Sequence, residues 1–255
     1  MGDGAPEIAT PLTRDAFFGG RLILQQPAKG HRGGTDAVLL AAGVPRDFAG
    51  LAYDAGAGVG TAGLGAALAC PGAHVGLIEN DPLSARLAAE NIAANGLAAQ
   101  AMVHACDLVS AASRQAAALD GKADLVLTNP PFYAPGAVRE SPDPRRRAAH
   151  VGGEGGLDAW IVACLALLGA HGTLILIHRT EALPALLATL QGRTGAVTLL
   201  PVHTKAGAPA KRLLLRAVKG SRAPLTIAPA LVLHDGAGFT PAVERINRGE
   251  AALDW

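Results

Sequence analysis

From Leu51 onward, short apolar runs that end in Gly, Asp or Asn alternate with longer stretches rich in Ala and Leu. "LAYDAGAG" predicts a strand and turn, "TAGLGAALAC" a helix and "AHVGLIEN" a second strand. "PLSARLAAENIAANG" predicts a helix closed by a C-terminal glycine. "AQAMVHACD" and "ADLVLTNPPF" predict the third and fourth strands, "GGLDAWIVACLALLGAHG" a helix ending in glycine, and "TLILIHR" the fifth strand. "EALPALLATLQG" predicts a helix with Pro184 in its first turn. "AVTLLPVHT" and "KRLLLRAVKG" follow as two strands with no helical stretch between them, so that pair should be antiparallel. Strand–helix alternation of this kind predicts an α/β fold. The expected architecture is a doubly wound, seven-stranded, mostly parallel sheet with one antiparallel strand and helices on both faces. Residues 134–156, rich in Pro, Gly and charge, read as a long loop. The tail beyond Ser221 reads as one strand, "LTIAPALVLHD", and a short helix, "PAVERINRG".

Composition narrows this picture in a few ways. Half of the 255 residues are hydrophobic, enough for one large domain or a domain with a small appendage. The expected organisation is an N-terminal segment over 1–45 that completes a cofactor site, a core over 46–222 and a C-terminal extension over 223–255. A formal charge of +1 does not indicate a body that binds nucleic acid nonspecifically, and leaves local patches open. Cys70, Cys106 and Cys164 lack CxxC spacing and fit reduced, small apolar residues better than disulfides or zinc ligands. His150, His178 and His203 have no ligand spacing, so no metal is expected. No signal-peptide pattern and no apolar run of transmembrane length is found, and the expectation is a soluble cytoplasmic protein with no membrane partner. No feature of the sequence defines an oligomeric state.

"YDAGAGVGTAGL" sets Asp54, Gly56, Gly58 and Gly60 at a strand-to-helix turn, where glycines allow a tight turn and close approach of a ligand. Glu79 ends the next strand, where a carboxylate can accept two ribose hydroxyls. Asp107 ends the third, placed for an adenine amino group. Gly58, Gly60 and Gly63 also satisfy GxGxxG, so the glycines alone do not separate S-adenosylmethionine from NAD. They also read as a tight turn with close helix packing and no ligand.

Asn129 stands at the end of the fourth strand, beside the glycine strand, where open α/β sheets bind ligands. Pro130 and Pro131 fix φ and remove two N–H donors, leaving bare carbonyls. Asn129 Oδ1 and the Pro130 carbonyl can accept both hydrogens of a planar amino group, and Phe132 can stack on the ring that carries it. Such a site suits methylation of an exocyclic or amide nitrogen, with alignment and electrostatics as the protein's contribution.

These residues resemble a known family. "NPPF" at 129–132 is similar to motif IV of class I S-adenosylmethionine-dependent amino-methyltransferases, and "DAGAGVG" at 54–60 to their motif I. "GHRGGTDAVLLAAG" at 30–43, "SPDPRRRAAHVGGEGGLDAWI" and "PVHTKAGAPAKRLLLRAVKGSRAPL" resemble segments of the bacterial tRNA(Val) adenine-N6 methyltransferases. The resemblance covers roughly residues 15–235. It implies S-adenosyl-L-methionine as cofactor, contacted by Thr35, Asp36, Asp54, Gly56, Gly58, Gly60, Glu79, Asn80, Asp107 and Asn129. It implies Asn129, Pro130, Pro131 and Phe132 as the catalytic set, and tRNA as partner. Relatives with this motif methylate adenine in DNA or RNA, guanine N2 in rRNA, or a protein glutamine, and only the flanking segments point to tRNA.

Other candidates carry two readings each. Thr35 and Asp36 cap a helix, contact the cofactor, or both. Tyr133 stacks on the base or packs under the loop. Arg139, Arg145, Arg146 and Arg147 grip phosphates beside an extruded base, or form a solvated loop balanced by Glu140 and Asp143. No acidic residue occurs between Glu181 and Asp235, while Arg193, Lys205, Lys211, Arg212, Arg216, Lys219 and Arg222 do. Of these, Lys205, Lys211 and Arg212 are the substrate-binding candidates. The competing reading is that basic residues protect a sheet edge from aggregation.

Overall fold

The computed structural model describes residues 11–29, 33–131 and 156–255. Its centre is the expected sheet. β3 (Leu51–Ala55), β4 (His74–Glu79), β5 (Ala101–Ala105) and β6 (Ala123–Thr128) are parallel, followed by β7 (Leu168–Arg179), β8 (Thr194–Lys205) and β9 (Ala210–Lys219). The strands lie in the order β5-β4-β3-β6-β7-β9-β8, and β9 runs antiparallel to both of its neighbours. Chain order reverses between β3 and β6, which makes their carboxyl ends the switch point where such sheets bind ligands.

Helices bury both faces. α1 (Thr35–Ala42), α2 (Thr61–Ala69) and α3 (Pro82–Ala94) share one core with Leu125, Leu127, Ile175 and Ile177. α4 (Ala111–Ala116), α5 (Gly156–Leu167) and α6 (Leu183–Leu190) lie about the other, with Val126, Leu174, Leu176 and Leu215. Neighbouring positions along β6 and β7 thus go to opposite cores, which is why those strands read as continuous apolar runs. α4 has no counterpart among the expected elements. α5 stops at Leu167, five residues before the expected glycine, because the chain enters β7 at Leu168 and passes His171 at φ 60°.

Two elements enlarge the expected sheet fold. β1 (Leu12–Phe17) and β2 (Leu22–Pro27) form an antiparallel hairpin of their own. Asn91 and Asn95 of α3 bind it, accepting from Gln25 N at 2.8 Å and Ile23 N at 2.9 Å. The tail adds β10 (Thr226–Ile227) and β11 (Leu231–Asp235) outside β8, β12 (Gly238–Phe239) against β11, and α7 (Pro241–Asn247). The single strand expected over "LTIAPALVLHD" is therefore two, because Pro229 between them has no N–H to continue a ladder. The chain returns to α1, where Trp255 Nε1 donates to the Gly43 carbonyl at 3.1 Å. Among the described residues no helix is long and apolar enough to cross a membrane.

Candidate active site

The four strands β5, β4, β3 and β6 end side by side, and each carries an expected site residue just past its end. The ladder pairs Ala55 with Thr128, so Gly56 and Asn129 follow at one level on adjacent strands. These strands are about 4.8 Å apart. Gly56, Gly58 and Gly60 have φ of 76°, 57° and 93°, a left-handed path that side chains resist. A Cβ on Gly58 would meet nothing within 4 Å, so the turn presents bare backbone to open space.

Glu79 organises this turn. Its Oε2 accepts from Gly58 N at 2.7 Å, and its Oε1 from Asn80 N and Asp81 N, each at 2.8 Å. The half-buried carboxylate thus fixes two loops and keeps one acceptor position on Oε2. Asn80 is exposed beside it. Half-buried Asp107 accepts from Val109 N at 3.1 Å through Oδ1. Asp54 is more deeply placed, 2% exposed, with Oδ2 accepting from Gly63 N at 2.7 Å. A Cβ on Gly63 would lie 2.4 Å from Leu77, so this glycine serves helix-to-sheet packing.

Burial pushes the Asp54 carboxyl up to about 7, against the Gly63 N–H and with the charge of Glu79. An unfolded Asp titrates near 3.9, so the folded chain retains a proton that the unfolded chain has released between about pH 4 and pH 7. The stability this contributes is complete below about pH 4 and is lost as pH rises to about 7. Urea unfolding from pH 5 to 7.5 should therefore show a steeper loss of stability in the wild type than in Asp54→Asn. Equal slopes would contradict the buried, protonated carboxyl.

Asn129 is half-buried, and its Oδ1 is shielded from solvent with no hydrogen-bond partner among the described residues. An acceptor left in that state costs about 1–3 kcal/mol. Pro130 beside it is buried. A second orphaned oxygen, Thr61 Oγ1 at the start of α2, lies at the glycine turn against Gly33. The backbone of Gly33 donates to Gln26 Oε1 at 2.9 Å, and Asn91 Nδ2 donates to the Val59 carbonyl at 3.0 Å, so the hairpin and α3 are bonded to this end of the sheet.

Comparison with known proteins places this architecture. Residues 33–143 match the family model of the methyltransferase small domain. The chain is 30% identical over 237 residues to a Porphyromonas gingivalis protein named tRNA1(Val) (adenine(37)-N6)-methyltransferase, covering 89% of this chain and 91% of that one. The chain belongs to this methyltransferase family. Among solved structures, an Agrobacterium tumefaciens protein described as a predicted O-methyltransferase superposes with a TM-score of 0.71 at 31% identity, over 86% of this chain and 98% of that one. The T. thermophilus 16S rRNA N2 G1207 methyltransferase, in complex with AdoMet and guanosine, shares the fold with a TM-score of 0.58 at 21% identity, over 82% and 50% of the two chains.

The protein is an S-adenosylmethionine-dependent N-methyltransferase, and its residues fit that cofactor. The orphaned Asn129 oxygen, the open glycine turn and the Glu79 carboxylate occupy one row at the sheet's carboxyl edge. The same comparison removes the NAD reading that the glycines alone left open. Phe132, Tyr133, Arg139, Arg145, Arg146 and Arg147 lie outside the described residues, as do His31, Arg32 and His150.

Thr35 and Asp36 do not cap α1. Gly34 is the N-cap, without a side-chain bond, and both residues are inside the first turn. Asp36 instead pairs with Arg212 of β9, Oδ2 to Nε at 2.9 Å, with both side chains about one-third exposed. This bond joins a cofactor candidate to a substrate candidate across 176 residues. The basic segment divides in two. Lys205, Lys211 and Arg212 lie at the β8–β9 turn, at the catalytic end of the sheet. Lys219 lies at the far end and caps α5, donating to the Leu165 and Leu168 carbonyls at 2.8 and 2.6 Å. Leu199, Leu215, Leu176 and Thr128 are linked in register, so Lys205, six residues further along β8, stands about 20 Å beyond the strand end that carries Asn129.

His203 and His178 serve the fold. A His203 ring nitrogen closes the β8–β9 turn on the Ala208 carbonyl. His178 is 7% exposed, and burial holds its imidazole below the usual range and hence neutral. Cys70, Cys106 and Cys164 are buried and free, and no cluster of metal-ligating side chains occurs among the described residues.

Proposed function

We propose that this methyltransferase modifies N6 of an adenine in tRNA. The observation that carries the proposal is the shielded Asn129 Oδ1 without a partner among the described residues, beside a glycine turn and followed by two prolines. An amino group supplies what that oxygen lacks. Its second hydrogen goes to the Pro130 carbonyl, and the prolines offer no N–H that would repel it. An acceptor pair of this kind also favours a pyramidal nitrogen, which frees its lone pair. The sulfonium of the bound cofactor supplies an electrophilic methyl group and a good leaving group. The protein therefore contributes alignment and acceptor dipoles in a shielded site, and no strong base.

Glu79 would hold the ribose hydroxyls, Asp107 the adenine amino group, and Gly56, Gly58 and Gly60 the backbone approach. Thr35, Asp36, Asp54 and Asn80 complete the cofactor set, and Phe132 stacks on the extruded base, an interaction worth about 1–3 kcal/mol. The choice of tRNA is supported by the name of the Porphyromonas relative and by the basic arm at the β8–β9 turn. Lys205, Lys211 and Arg212 on that arm, with Arg139, Arg145, Arg146, Arg147 and Tyr133 after the catalytic motif, would contact phosphates and the base around the target. Residues 1–45 would close over the cofactor, and residues 223–255 would brace the arm through β11. The working compartment is then the cytoplasm.

Nucleoside mass spectrometry of tRNA from cells lacking the protein tests this. The expected result is loss of one N6-methyladenosine, restored by the wild type and not by Asn129→Ala. Unchanged tRNA nucleosides, with loss of a methylguanosine from rRNA or of methylglutamine from protein, would move the activity to that acceptor.

A further inference from the structure

The β3–β6 ladder ends at the pair Ala55–Thr128, and the residues that follow are Gly56, on the cofactor side, and Asn129, on the acceptor side. Beyond that pair no ladder bond holds the two apart or together. A chain of side-chain bonds takes over. Thr128 Oγ1 donates to the Ala55 carbonyl at 2.8 Å, and Trp160 Nε1 on α5 donates to Thr128 Oγ1 at 2.9 Å. The far edge of the same indole lies flush against the turn, since a Cβ on Gly56 would sit 2.7 Å from Trp160 Cζ2 and 2.9 Å from Cη2. Cys164, one helical turn after Trp160, is buried in the same core, and burial pushes its thiol up to about 12, so it stays protonated.

The residue types argue for a purpose. β6 is otherwise filled by Leu125, Val126 and Leu127, and a Val at 128 would pack equally well at a position with no exposure. A hydroxyl there needs partners, and among the described residues these are the Ala55 carbonyl, which ends the glycine strand, and the Trp160 indole of α5. In-line transfer is sensitive to separation, and an error of about 1 Å can cost about 100-fold in rate.

We propose that Trp160, acting through Thr128, is a positioning residue that fixes the spacing between the cofactor turn at Gly56 and the acceptor site at Asn129. This rests on the amino-acceptor role given above to Asn129. Thr128→Val removes the hydroxyl and keeps the shape, Trp160→Phe removes the indole N–H, and Thr128→Ser keeps the hydroxyl. The first two should each lower kcat about tenfold per cofactor-binding site, with KM for S-adenosylmethionine within about twofold. The double variant should be no worse than either single by more than about twofold, because one chain is broken twice. Thr128→Ser should restore the rate. Wild-type kcat in both hydroxyl-less and N–H-less variants, or losses that simply multiply, would overturn the proposal.

A second readout is independent of the acceptor. The chain has two tryptophans, so in a Trp255→Phe background the emission comes from Trp160 alone. Saturating S-adenosylhomocysteine should change that emission, and no change would contradict the contact with the cofactor turn. If the Trp255→Phe protein shows the emission change and the wild type transfers no methyl group to tRNA, the acceptor reading fails. The kcat comparison then runs on whichever acceptor the wild type does label.

Discussion

Asn129→Ala lowers the methyl-transfer rate at saturating substrates by about 100-fold, the scale on which removal of one preorganised polar group from a reacting centre acts. S-adenosylhomocysteine binding stays within about twofold in the same variant, measured by calorimetry. The reason lies in what the side chain does in the folded protein. Its Oδ1 accepts no hydrogen bond among the described residues, so its removal breaks no acceptor contact there that holds the strand end. Pro130, buried next to it, keeps the backbone path. The lost acceptor is one that the nucleophilic amino group would use most strongly as its lone pair is freed. The expected signature is therefore a fall in kcat with an intact cofactor site and unchanged thermal stability. Full activity in this variant would remove Asn129 from the mechanism. Lost S-adenosylhomocysteine binding would assign it to the cofactor instead.

Glu79→Ala has the opposite signature. It weakens S-adenosylhomocysteine binding by about 100-fold, since hydrogen bonds to a charged group contribute about 1.5–3 kcal/mol each. The carboxylate accepts three backbone N–H bonds, one from Gly58 and two from the β4–α3 turn. Without it, the left-handed turn loses its tether and the ribose hydroxyls lose their acceptor together. With cofactor raised to saturation the rate should largely return, because the acceptor side of the site is untouched. A dissociation constant within about threefold of the wild type would mean that Glu79 only builds the turn. The two variants thus separate cofactor capture on β3 and β4 from acceptor capture on β6.

The strand ends that carry the candidate residues were legible in the sequence because each is a local, contiguous signal. A strand ends, and a glycine, a carboxylate or an Asn-Pro-Pro follows at once. Sheet topology then does the assembly, since parallel strands put all their carboxyl ends on one edge. Features built from distant partners were not legible. Thr128 and Trp160 are 32 positions apart, and neither residue stands out within its own apolar run. Asp36 reads as a cap or a cofactor contact from its neighbours, yet α1 begins at Thr35 with Gly34 as its N-cap, and the Asp36 carboxylate turns to Arg212 of β9.

The β1–β2 hairpin was not legible either. Its strands alternate in burial along Leu12–Phe17 and Leu22–Pro27, but the residue types do not alternate with it, since Leu12 is exposed and Gln26 is buried. The period-two sequence signal of a hairpin is therefore missing. The spread of the basic segment was not legible. Seven cations in one acid-free stretch suggest one surface, but antiparallel strands carry them to opposite ends of the sheet, and Lys219 caps a helix.

On the proposed function, the Asn129 oxygen, without a partner among the described residues, accepts from the amino group of an adenine in tRNA. Incubation of the purified enzyme with methyl-labelled S-adenosylmethionine and, separately, unmodified tRNA, rRNA and total protein tests it most directly, with the product read by nucleoside and amino-acid analysis. The predicted result is label in tRNA alone, recovered as N6-methyladenosine. Label recovered as methylguanosine or methylglutamine, with none in tRNA adenine, would contradict it.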